Sequence, residues 1–103
     1  MKAALSVAQV AAGLPFLGTR LAARDVRTQL EYLLSQEGDV VVDFSGIQIS
    51  QSFADESIGL LLLRRSPEVL DRLIFKGCSD SVKAAIEFVV ADRYDEFVRT
   101  RSH

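Results

Sequence analysis

Residues 40–62 read VVVDFSGIQISQSFADESIGLLL, and the change of pattern inside that stretch decides the fold class. Asp39 to Phe44 is a continuous run dominated by β-branched residues, apolar on both faces, which suits an interior strand covered on both sides. Ser45-Gly46 turns the chain, and Ile47 to Ile49 is a short apolar return. From Ser52 the spacing becomes helical, with Ala54, Ile58, Leu61 and Leu62 on one face. Ser66-Pro67 stops this helix, because proline disfavours helical geometry in the residue before it.

The same alternation continues toward both ends. Upstream, Lys2 to Gln9 reads as a strand with Leu5 and Val7 on one face. Gly13, Pro15 and Gly18 then punctuate a turn region holding a short strand around Phe16 and Leu17. Thr19 is placed to cap a helix that ends near Ser35, whose stripe is Ala22 or Ala23, Val26, Leu30 and Leu33. Arg20, Arg24, Arg27 and Glu31 lie off that stripe. Downstream, a connector with Val69 and Leu70 leads to a strand over Arg72 to Lys76. Ser79 or Ser81 caps a third helix carrying Val82, Ala85, Ile86 and Val89, and Asp92 marks a break before a short helix with Tyr94, Phe97 and Val98. Strands alternating with helices through short loops predict an α/β sandwich, with a mixed four- to five-stranded sheet and three to four helices.

Composition sets the outer bounds. The 103 residues have room for one core, so the expectation is a single domain over 1–103. Hydrophobic residues make up 49% and charged residues 25%, which is too apolar for a disordered chain. Fourteen acidic against twelve basic side chains give a net charge of -2 and a pI near 5.3. No overall positive field exists to hold a nucleic-acid backbone. One cysteine, Cys78, and one histidine, His103, exclude a disulfide scaffold and a structural zinc site. They also leave a histidine-dependent nucleophile without support. Ser6, Gln9, Gly13 and Pro15 interrupt the mildly apolar start, so it reads as structure, not as a secretory signal. No run approaches the ~18 apolar residues of a membrane span. The expected location is the cytoplasm.

Asp43-Phe44-Ser45-Gly46-Ile47, the Ser50-Gln51-Ser52 loop and the Ser52-Phe53-Ala54-Asp55-Glu56 helix start together resemble the central segment of STAS domains, the anti-sigma-factor antagonists. The closer likeness is to STAS-like domains with a Ser-Phe-x-x-Glu helix start. The resemblance extends more loosely to Leu73-Ile74-Phe75-Lys76-Gly77 and the helix after it. It implies a non-enzymatic regulatory module without a cofactor. The implied partner is a protein with the ATPase fold of histidine kinases, acting as a serine kinase or anti-sigma factor. The implied contact surface is Asp43, Ser50, Gln51, Ser52, Asp55 and Glu56, with Ser52 at the position that is phosphorylated in the family.

The residues themselves leave other uses open. Ser52-Phe53-Ala54-Asp55 matches a capping box, in which Ser52 accepts the third helical amide. Asp55 and Glu56 diverge by about 100° as helix neighbours, so they do not converge on one atom as a catalytic or metal pair would. Asp43, at a strand end, suits a turn-stabilising acceptor. Thr19, Arg20 and Arg24 are candidates for binding a nucleotide or another small anion, which would make the domain a ligand sensor. An enzyme using Asp43, Asp55 and Glu56 is a third reading. Cys78 suits packing at a sheet edge. Homodimerisation through a strand edge or the C-terminal helix stays open.

Overall fold

The β-branched run at the centre of the sequence is the centre of the fold. In the computed structural model, which describes residues 3–10, 16–17 and 20–101, β3 (Val40–Asp43) lies between β1 (Ala3–Ser6) and β5 (Leu73–Lys76). All three strands are parallel, in register Ala3↔Val40, Leu5↔Val42, Val40↔Leu73 and Val42↔Phe75. Val40 and Val42 are buried. Parallel neighbours cannot be joined by a tight turn, so each crossover carries helix. The first contains α1 (Val7–Val10), β2 (Phe16–Leu17) and α2 (Arg20–Leu34).

After β3 the chain does not fold back on it. Phe44 donates to the Lys76 carbonyl, extending the β3–β5 ladder, and Ile47 donates to Phe44 to close a turn in which Gly46 has φ +77°. That turn carries β4 (Gln48–Ile49) away to pair in parallel with β2. The expected single mixed sheet of four to five strands is therefore corrected to a three-stranded parallel sheet plus a separate two-stranded parallel pair. The first strand is also shorter than expected, because Val7 already begins the turn of α1.

The expected second helix is present but not uniform. It runs as α3 (Gln51–Ala54), a wide π-turn over Asp55–Gly59 and α4 (Leu60–Arg64), followed by a 3-10 segment over Pro67–Arg72. Ala54, Ile58, Leu61 and Leu62 are all buried, as their spacing predicts. The C-terminal helix α5 (Asp80–Arg101) passes through Asp92 without a break, since no proline or glycine interrupts it. Its first turn is capped by Ser79, whose Oγ accepts from the Val82 amide at 3.3 Å, while Ser81 turns to Gln48. The expected cap at Thr19 lies outside the described residues.

Phe44, Phe53, Leu30, Ile58, Leu61 and Leu62 are fully enclosed, each worth roughly 1.5–3 kcal/mol of transfer free energy. The end of α2 is held by Arg72, which donates to the carbonyls of Leu34, Gln36 and Gly38 and so satisfies oxygens that a helix end leaves open. No helix among the described residues is long and apolar enough to cross a membrane.

Candidate functional site

Ser50 begins the motif helix. Its backbone is extended (φ -80°, ψ 163°) and its Oγ accepts from the Phe53 amide at 3.0 Å, the N-cap arrangement. This corrects the expectation that Ser52 is the cap. The helix starts one residue earlier than its apolar spacing suggested, so Ser52 falls inside the first turn with its side chain exposed. Gln51 is exposed beside it.

Asp55 and Glu56 diverge as their helical spacing predicts, each toward a different helix. Glu56 is only 7% exposed. Its Oε2 accepts from Arg27 Nη1 at 2.7 Å and its Oε1 from Arg20 Nη1 at 3.0 Å, both from α2. The Arg27 hydrogen bond lowers the Glu56 pKa below the usual glutamate range, against the opposing effect of burial. Arg27 is itself buried, which corrects its expected place on a solvated helix face. Asp55 turns the other way, to α5. Arg93 grips it with two bonds of 2.7 Å, from Nε to Oδ1 and from Nη2 to Oδ2, and donates a third to Glu96. The Asp55 carboxylate raises the Arg93 pKa above its ordinary value.

The π-turn is what allows both pairings. The Leu60 amide donates to the Asp55 carbonyl, five residues back, which leaves the Glu56 carbonyl without its α-helical donor. Arg27 Nη1 supplies the replacement at 2.8 Å. Buried Ser57 closes another local bond, donating to the Phe53 carbonyl at 2.7 Å. Gly59 sits against the Asp55–Arg93 pair. A Cβ there would collide with Asp55 Oδ1 and come within 3.0 Å of Arg93 Cγ.

Asp43 lies at the end of β3 and accepts from the Ser45 hydroxyl at 2.6 Å and the Ser45 amide at 2.9 Å. Those two bonds lower its pKa. Gly77, with φ +69°, packs directly on this turn, its missing Cβ leaving room for Ser45. Cys78 lines a separate, mostly apolar cleft of about 440 Å³ with Leu70, Phe75, Ile86 and Val90. Burial raises its thiol pKa, which fits a packing role better than a nucleophile.

The motif helix borders a shallow cleft of about 190 Å³ whose lining includes Arg20, Gln51, Ser52, Asp55, Phe88 and Asp92. Phe88 is 57% exposed. The Arg20 side chain is 75% exposed although it touches Glu56. Of the candidate residues, Arg20, Gln51, Ser52 and Asp55 thus share one cleft. Ser50 is spent as a cap, Glu56 faces inward and Asp43 belongs to the β3 turn. Arg24 is exposed on α2, and Thr19 lies outside the described residues.

The model of a family described as a STAS-like domain of unknown function (DUF4325) matches residues 22–83, more than half of the chain. The chain belongs to this STAS-like family. No curated protein and no solved structure matches it. The matched residues of the STAS-like domain include α2 from Ala22 onward, the three-stranded sheet except β1, and the whole motif helix. They therefore hold Arg27, Asp55 and Glu56, whereas Arg20, Phe88 and Arg93 lie outside the match. Sequence spacing missed Phe88 and Arg93 as parts of the site, and it put Arg27 with Arg20 and Arg24 on one helix face that is solvated by default. Arg27 carried one signal, being seven residues, or two helical turns, from Arg20 and flanked by the core residue Val26. Phe88 carried another, an aromatic side chain off the apolar stripe of its helix.

Proposed function

We propose that this STAS-like domain is a non-enzymatic regulatory module that binds a protein partner through Gln51, Ser52, Arg20 and Phe88. The observation that carries this reading is the cleft itself. It sets an exposed aromatic ring beside an exposed serine and a loosely held arginine, the residue types that anchor protein interfaces. Asp55 and Glu56 are committed to arginines on opposite sides, so they frame that surface instead of forming a catalytic pair. Glu56, whose pKa the Arg27 hydrogen bond lowers, is not poised to transfer a proton near neutral pH. The anion-sensor reading loses support, because Arg20 shares the cleft with Asp92 and Asp55.

The partner class follows from the resemblance to anti-sigma-factor antagonists, namely a cytoplasmic protein with the histidine-kinase ATPase fold. Phosphorylation of Ser52 is the matching switch, adding about -1.5 to -2 charge at pH 7. Two carboxylates within a turn of Ser52 would oppose it if they were bare, but Arg93 and Arg27 already neutralise them. Arg20 can also leave Glu56 without unpairing it, since Arg27 remains.

Titration calorimetry against a purified ATPase of this fold, encoded beside the domain, tests the reading. Phe88→Ala and Ser52→Arg should each weaken binding at least about tenfold, as loss of an interface anchor does, while Tyr32→Ala on the exposed face of α2 should not. Equal affinity for all three variants would overturn the proposed face. Incubation with the same ATPase and ATP, read by tandem mass spectrometry, should place phosphate on Ser52. Phosphate on another residue would remove the switch.

A further inference from the structure

Ser52 and Glu56 are four residues apart, which makes them neighbours one turn apart on the surface of the motif helix. Arg20 reaches that turn from α2, with its Nη1 3.0 Å from Glu56 Oε1, and it lines the same cleft as Ser52. It is the one cation among the described residues lining that cleft, whose carboxylates are Asp55 and Asp92. Asp55 is already held by Arg93 through two bonds of 2.7 Å. Glu56 does not depend on Arg20, because buried Arg27 binds its other oxygen at 2.7 Å. The Arg20 side chain is 75% exposed, and an ion pair that open to water holds it only weakly. An arginine beside an exposed hydroxyl, weakly held and dispensable to its present partner, is placed to receive a phosphate.

We propose that Arg20 is the receiver of a phosphate on Ser52, so that modification ties the start of α2 to the first turn of the motif helix. This role rests on the Ser52 phosphorylation proposed above and assigns what that modification does. Transfer of the γ-phosphoryl group of ATP forms an Oγ–P bond on Ser52, releases ADP and gives the hydroxyl proton to solvent. The new anion stands one turn from Glu56, and like charges at that spacing repel. Arg20 removes the conflict, since its planar fork of donors pairs with phosphate oxygens while Arg27 keeps Glu56 neutralised. Arg20 and Ser52 both belong to the interaction face, so one phosphate withdraws two of its contact residues from a partner. Arg24, exposed on the same helix but not lining the cleft, takes no part.

Phosphoserine installed at position 52 during translation makes the readout independent of any kinase. Phosphorus NMR of the whole domain, titrated from pH 8 to pH 4, follows the second ionisation of the phosphate, which lies at about 6 when unpaired. The charged groups facing it are Arg20 from α2, Asp55 and Glu56 from the motif helix, and Asp92 and Arg93 from α5. A paired guanidinium favours the dianion, so this pKa should be at least about 0.5 higher in Arg20→Gln than in the otherwise unchanged phosphorylated domain. In Arg24→Gln it should stay within about 0.2. Equal values with and without Arg20 overturn the receiver. An equal rise in Arg24→Gln overturns it too, because only the general field of α2 would then be acting. The Arg20 effect in a domain that the ATPase does not phosphorylate would instead refute the proposed switch while supporting the receiver.

Discussion

Arg27 Nη1 lies 2.7 Å from the Glu56 carboxylate and 2.8 Å from the Glu56 main-chain oxygen, so one nitrogen ties α2 to both the charge and the backbone of the motif helix. Arg27→Met should therefore cost about 3–5 kcal/mol, because it strands a buried carboxylate. Arg20→Ala removes an exposed partner of the same carboxylate and should cost no more than about 1 kcal/mol. Urea denaturation of the two variants checks the contrast, and equal losses would show that burial does not separate the two arginines.

The Glu56 carboxyl has a lower pKa folded than unfolded. As pH falls, the unfolded chain takes up this proton first, at about 4.3, so acid favours unfolding. The stabilisation from this group is complete above the unfolded pKa and is lost as pH falls through the folded one. Thermal midpoints measured from pH 6 down to pH 3 should fall less steeply in Glu56→Gln than in the wild type. Parallel curves would mean that Glu56 is not linked to folding.

Ser50 and Ser52 are separated by a single residue but do different work. Ser50→Ala removes the N-cap bond to Phe53 and should lower stability by about 0.5–2 kcal/mol. Ser52→Ala, on an exposed side chain, should stay within about 0.5 kcal/mol of the wild type. A reversed order in chemical denaturation would return the cap to Ser52.

Gly46 and Gly77 both have positive φ, but their surroundings differ. A Cβ at Gly46 meets nothing within 4 Å, so Gly46→Ala should cost only the left-handed backbone penalty of about 1–2 kcal/mol. A Cβ at Gly77 would collide with the Ser45 hydroxyl and come within 2.8 Å of the Ser45 nitrogen and 2.9 Å of its Cα. Backbone cannot swing aside, so Gly77→Ala should cost clearly more and should disturb the Asp43–Ser45 turn. Denaturation midpoints rank the two variants, and amide chemical shifts at Ser45 locate the damage.

The central strand was legible because Val40 to Val42 is apolar on both faces, a pattern that only a covered strand tolerates. Helix positions were legible for the same reason, as Val26, Leu30, Ile58 and Val89 recur at helical spacing. The strand count was also legible, but its division into two sheets was not. Which strand a two-residue segment such as Gln48–Ile49 pairs with depends on where the turn at Gly46 sends it. Within the site, spacing foresaw that Asp55 and Glu56 diverge. It could not foresee what each would meet, because Arg27 and Arg93 are 29 and 37 residues away from Glu56 along the chain and come from different helices.

The sequence by itself determined an α/β domain, a helix beginning near Ser52 and a polar helix start resembling STAS-like domains. These follow from local periodicity and from residue types that act over a few positions. Only the tertiary structure decided that Glu56 is locked inward and Asp55 is clamped by Arg93 while Ser52 and Phe88 are left at the surface. Burial makes an ion pair selective: once α2 and α5 flank the motif helix, buried Glu56 must be paired and takes Arg27, half-buried Asp55 meets Arg93 on the other side, and Ser52, without such a demand, remains exposed.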